Sequence, residues 1–160
     1  NLDLYVVSED VNGNLTEAPQ TVKENLKTWL NKYRMINDTV DIKDGTIANI
    51  GIEFEIVGAL NKSSNEILGN ALNLLREQYT TKFLFGVPFY ISDVYKVLND
   101  MPDVIDVTTV KIVNRRGTGY SSTNFDAELN ISADGRFINI PEHVVLEIRF
   151  PERDIIGVVV

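Results

Sequence analysis

Glu53 and Glu55 stand two residues apart in Gly51-Ile52-Glu53-Phe54-Glu55-Ile56-Val57. On a strand this spacing puts both carboxylates on one face, with Cα atoms about 7 Å apart. Glycoside hydrolases use carboxylate pairs at comparable separations. General-acid chemistry also needs one carboxyl kept protonated by an apolar pocket. The flanking residues promise the reverse. Ile50, Ile52, Phe54 and Ile56 point one way, and Asn49, Gly51, Glu53, Glu55 and Val57 the other. That alternation marks a strand buried on one side and wet on the other. Both acids are expected on the solvent- or partner-facing side.

The remaining reactive groups are few. His143 is the single histidine, so a triad or a histidine-based metal site would rest on it alone. It lies between Glu142 and two valines at a predicted strand start, and Glu142, His143 and Glu147 do not form a His-Glu-x-x-His helix. Arg115-Arg116-Gly117-Thr118-Gly119 looks like an anion loop only in its glycines. A phosphate loop leads into a helix N-terminus, whereas this one leads into more loop. It reads as an exposed connector, with partner binding as its functional use, since Arg is favoured at interfaces. Replacing both arginines by Glu is expected to weaken binding and spare the fold. Asn14, Asn37 and Asn61 head Asn-x-Ser/Thr triplets, a pattern common by chance. Trp29, Tyr33, Phe54, Tyr79 and Phe89 fall on predicted core stripes rather than on a base-stacking platform.

Composition narrows the classes further. The chain has 160 residues, 44% hydrophobic and 24% charged, with a net charge of −8 and no cysteine. This is a globular composition with enough length for a core. The acidic balance argues against nucleic-acid binding, which needs clustered Lys and Arg. Disulfides and thiolate chemistry are excluded, and the absence of cysteine fits a reducing compartment. No apolar run approaches the roughly 20 residues of a membrane span, and no membrane insertion is expected. The Asn-Leu-Asp-Leu start lacks a signal peptide's basic and apolar regions. With no initiator Met and an end on Val158-Val159-Val160, the chain reads as a segment of a longer one.

The elements that must position these groups follow from hydrophobic period and punctuation. Leu2 to Val7 reads as a strand, and Pro19 opens a helix of about four turns. Its stripe is Val22, Leu26, Trp29, Leu30 and Tyr33, and Asn37-Asp38 ends it. The alternating strand runs from Ala48 to Val57. Ser63 or Ser64 caps a second helix with Ile67, Leu68, Ala71, Leu72, Leu74, Leu75 and Tyr79 inward. A third helix spans about 89 to 100, and a β-branched strand Val104 to Val113. Beyond a Gly-Ser-Thr-Asn loop, 125–131, 137–140 and 144–150 read as short strands. The expected fold is α+β: a β-α-β-α-α-β ferredoxin-like sandwich over 1–113, with 114–160 as a β-rich extension or partial second domain.

Several phrases together carry a resemblance: LDLYVVSED, a Pro-initiated helix, TVDIKDG, IANIGIEFEIVG, NEILGNALNLLREQY, and FGVPFYISDVYKVLNDMPDVIDVTTVKI. This order resembles the baseplate J-like family of contractile-tail bacteriophages, in particular its wedge members in T4-like phages. The likeness covers Leu2 to Val113. One departure is Asp103-Val104-Ile105-Asp106-Val107, where the family often has Gly-Val. The resemblance implies a virion tail baseplate protein assembled in the host cytoplasm. It implies self-association as a homodimer, packing against other wedge proteins, and rearrangement on tail contraction. It implies neither catalysis nor a cofactor. The residues expected at interfaces, from exposure and composition, are Glu53, Glu55, Arg115, Arg116, Tyr120, Phe137 and Phe150. The rival readings are a small-ligand regulatory α+β domain and, further off, a glycoside hydrolase using Glu53 and Glu55.

Overall fold

The computed structural model describes residues 1–33, 35 and 38–160. Strand β1 (Leu2–Val6) leads to a short hairpin, β2 (Ser8–Glu9) and β3 (Leu15–Thr16). Helix α1 (Gln20–Asn31) follows, then β4 (Val40–Asp44) and the long β5 (Thr46–Gly58). Helix α2 (Ser64–Gln78), β6 (Phe89–Tyr90), α3 (Ile91–Asn99) and β7 (Val104–Asn114) come next. A 3-10 turn (Glu128–Asn130), β8 (Phe137–Ile138), β9 (Val144–Glu147), α4 (Pro151–Asp154) and β10 (Ile155–Val159) complete the order. The fold is α+β, as expected.

β4 and β5 run almost continuously and act as the spine. At the joint, Gly45 N–H donates to Val6 O (2.9 Å) and Thr46 N–H to His143 O (2.7 Å). Successive N–H groups of a strand point to opposite edges, so β1 and β9 lie on opposite sides of the spine. β1 pairs with β4 in parallel, and β7 pairs antiparallel with β5. Arg115 N–H donates to Asn49 O, which places β7 on the edge shared with β1. On the other edge β9 and then β10 lie end to end, both parallel to β5. Between them α4 makes an outward jog: Asn49 pairs with Glu147 and Ile52 with Ile155. Residues 114–160 therefore do more than extend the fold. They supply one whole edge of β5 and place Ala127, Ile138, Val144, Leu146 and Ile155 in the main core.

Helices α2 and α3 cover one face of the β10-β5-β7 sheet. α2 has Glu66 in its first turn and Arg76 in its last, matching the helix dipole. It buries Ile67, Ala71 and Leu75 at four-residue spacing, and α3 buries Ile91, Val94 and Leu98. Beneath them lie Ile50, Ile52, Phe54 and Ile56, each under 5% exposed. The alternation expected in β5 holds from Ile52 onward. Before it, Ala48 to Gly51 are buried throughout.

Two expected elements differ. Helix α1 ends at Asn31 and buries no residue; Trp29 and Tyr33 are 55% and 72% exposed rather than core. The apolar stripe is present, but α1 touches mainly β4, too narrow a support to cover it. Asn37, expected to end that helix and to head a glycosylation triplet, lies outside the described residues. Residues 125–131, expected as a strand, instead contain the 3-10 turn over Glu128–Asn130, with Ile131 making an isolated bridge to Ile138. There Asp126 Oδ1 accepts the N–H groups of Glu128 and Leu129 (3.0 and 3.2 Å), offering the backbone a local alternative to a ladder.

Gly157 is a packing requirement. A Cβ there would sit 2.3 to 2.6 Å from the Phe54 ring, which crosses the strand above it. Gly157→Ala is expected to lower stability by about 1–3 kcal/mol. Combined with Phe54→Leu it should lose less than the sum of the single changes, because both act on one space; urea unfolding of the four variants checks this.

Tyr79 packs against Phe83 and Phe89, and burial pushes its phenol up to about 12. Unfolded tyrosine ionises near pH 10. Folding therefore holds the proton more tightly, and stability present below pH 10 is lost as pH rises from 10 to 12. Relative to Tyr79→Phe, the wild type should lose stability across that window in pH-dependent unfolding.

Candidate functional site

No element of the described residues covers the face of the β10-β5-β7 sheet opposite α2 and α3. In register across it stand Ile156, Glu53 and Lys111, then Val158, Glu55 and Thr109. Ile156 and Val158 are 45% and 52% exposed. Together these side chains line a shallow depression of about 300 Å³. Glu53 and Glu55 are thus half-buried on the open side of the strand, away from the core. Their surroundings are a lysine, a threonine and the two aliphatic side chains of β10, not an enclosed apolar pocket.

One end of this face is closed by a polar cluster centred on Asp154, whose side chain is wholly buried. Tyr120 donates its hydroxyl to Asp154 Oδ1 (2.5 Å), and the Phe150 N–H donates to Oδ2 (3.1 Å). Arg153 donates to the Tyr120 oxygen from Nε (3.1 Å) and Nη2 (2.9 Å). Its guanidinium also lies 4.5 Å from the Phe150 ring centroid and 5.1 Å from that of Tyr120. Burial first, and then the bond to Asp154, hold the Tyr120 phenol above its ordinary range.

Arg115 reaches this cluster across the backbone of β5. Its Nη2 lies 3.5 Å from Glu53 Oε1 and its Nε 3.5 Å from Asp154 Oδ1. The Nε is buried without a hydrogen bond. Gly51 makes room for the crossing: a Cβ there would stand 2.7 Å from Nε. The expectation of a freely solvated Arg115 is therefore corrected. The side chain is a strut between a half-buried and a fully buried carboxylate, and Arg115→Glu would set a third acid beside both.

Four residues expected at interfaces (Glu53, Arg115, Tyr120 and Phe150) meet in this one neighbourhood, with Glu55 on the adjoining face. The other two lie elsewhere. Arg116 turns to Phe125 O (3.2 Å) and Asp126 (3.7 Å). Phe137 packs on Tyr90 beside the β6–β8 pair, ring centroids 5.9 Å apart. His143 is exposed, its backbone oxygen used by Thr46. Asn61 is exposed, and Asn14 bonds to Asp10 through its backbone and side chain.

Sequence reading missed Asp154 and a second buried acid, Glu147. Glu147 accepts from Leu15 N–H (2.5 Å), Asn49 Nδ2 (2.8 Å) and Arg149 Nε (2.8 Å). Arg149 goes on to Leu15 O, Ser121 Oγ and Gly119 O. The network ties the β2–β3 hairpin and the 119–121 loop to the sheet. The legible signals were Glu147 inside Val-Val-Leu-Glu-Ile-Arg and an acid three residues after Pro151.

Among the described residues no cluster of His, Asp or Glu is arranged to hold a metal ion, and no helix is long and apolar enough to cross a membrane. No protein-family model and no curated protein matches the chain.

Tyr120→Phe leaves Asp154 buried with one donor fewer. Stability should fall by about 1–3 kcal/mol. Arg115→Glu should cost more than Arg116→Glu, because only Arg115 contacts the buried acid. Denaturant midpoints of the three variants order these effects.

Proposed function

We propose that the chain is a structural component of a contractile-tail baseplate wedge, placed in the virion tail and assembled in the host cytoplasm. The resemblance supplies the assembly; the observation that carries the reading in structural terms is the uncovered sheet face. A sheet with helices on one side only, ferredoxin-like in its layering, leaves a flat surface of acids and aliphatic side chains. In this reading that surface seats a neighbouring wedge protein. Ile156 and Val158 contribute apolar area, and Glu53 and Glu55 choose a partner of opposite charge. Arg115, Tyr120 and Asp154 hold one end of the surface in shape and carry no reaction. The carboxylate pair belongs to recognition.

Two measurements test this. In mass spectrometry of purified contractile-tail particles from the source of this chain, it should appear in stoichiometric amount in the baseplate fraction; its absence there removes the reading. Glu53→Lys combined with Glu55→Lys should weaken association with the neighbouring wedge proteins at least tenfold in sizing experiments, with the circular dichroism spectrum unchanged.

A further inference from the structure

The two outer edges of the central sheet are treated differently. Along β7, Tyr95 accepts the outward N–H of Val110 with its hydroxyl (3.0 Å) and so occupies one donor of that edge. Along β10, no strand of the described residues pairs with the outer edge. Val160 N–H donates to Ile56 O (2.9 Å). By the alternation of a parallel ladder, Ile156 and Val158 also turn their backbone groups toward β5. Ile155, Gly157 and Val159 turn theirs outward. Exposed edges are ordinarily protected by charge, proline or a bulge. The run Ile-Ile-Gly-Val-Val has none of these.

We infer that this edge takes up an extended segment of a partner chain, whose side chains alternate between aliphatic and basic. The inference deepens the reading of the open face as a docking surface and rests on it, but not on which assembly the face serves. An added strand would bond to the outward groups of Gly157 and Val159, since the Ile155 N–H is already taken by Pro151 O. Its side chains on the α2 side would continue the aliphatic core. Those on the open side would lie beside Ile156 and Val158, about 10 Å from β5. Lys or Arg suits that place: the aliphatic stem covers Ile156 and Val158, and the charged end reaches the next row. In that row Glu53 already faces Arg115, while Glu55 makes no ion pair among the described residues. The chain's net charge of −8 favours the same sign of partner.

The test uses end-blocked Val-Lys-Val-Lys-Val-Lys and its Val-Glu counterpart, titrated into the isotope-labelled chain with amide shifts followed by NMR. The lysine peptide should shift the amides of Gly157 and Val159, and the glutamate peptide should not. Glu55→Lys should weaken binding at least tenfold. Val159→Pro should abolish it, because it removes an outward N–H and leaves the bonds to β5 in place. If that variant does not fold, Glu55→Lys decides alone. Three results overturn the inference: equal response to both peptides, no response to either, or β10 shifts that depend on the chain's own concentration. The last would show a second copy on the edge. None of these bears on particle composition, so this inference and the baseplate reading fail separately.

Discussion

A long central strand requires hydrogen-bond partners along both edges. β5 is buried deeply enough that an unpaired N–H or carbonyl would have no water to turn to. No single partner strand runs its length on either side. One edge combines β7 with β1 on the preceding β4; the other combines β9 and β10. Because the second edge comes from the last part of the chain, the sheet closes only when residues 144–159 have docked. The pairings joining residue 46 to 144 and 56 to 159 bring together distant parts of the sequence, so the fold depends on non-local contacts.

The joints in these composite edges are where the buried charges sit. Glu147 ends β9 and Asp154 immediately precedes β10, either side of the jog made by α4. A regular strand there would have continued the ladder. The chain instead leaves the sheet and returns, and the two carboxylates bind the segments that cross the gap. Glu147 holds the β2–β3 hairpin through Leu15, and Asp154 holds Tyr120 and Phe150. Each acid is satisfied by several donors, the condition under which a buried carboxylate is tolerated.

Local pattern revealed what local chemistry dictates. The period-2 run in β5 and the apolar stripes of α2 and α3 could be read directly, because each element's buried face is written into its own residues. Glu53 and Glu55 could be assigned to the outer face for the same reason. The Asp154 cluster could not, since Tyr120, Arg115 and Asp154 meet only after β7, the following loop and β10 have converged on β5. Trp29 and Tyr33 misled in the opposite direction. A helical stripe states that a face is apolar, but not that another element reaches it. The family resemblance ended at Val113 and so was silent on the segment that completes the sheet.

Helix α1 has a consequence of its own. It is fixed to the rest chiefly by its contact with β4 and by Lys23, whose Nζ lies 2.9 Å from both Asp44 oxygens. Without a fully buried side chain, its twelve residues lose little when they detach. Local opening of such a helix takes far less free energy than global unfolding. Its amides therefore exchange with solvent well before those of β5, and a protease that needs an unwound segment finds its first cut there.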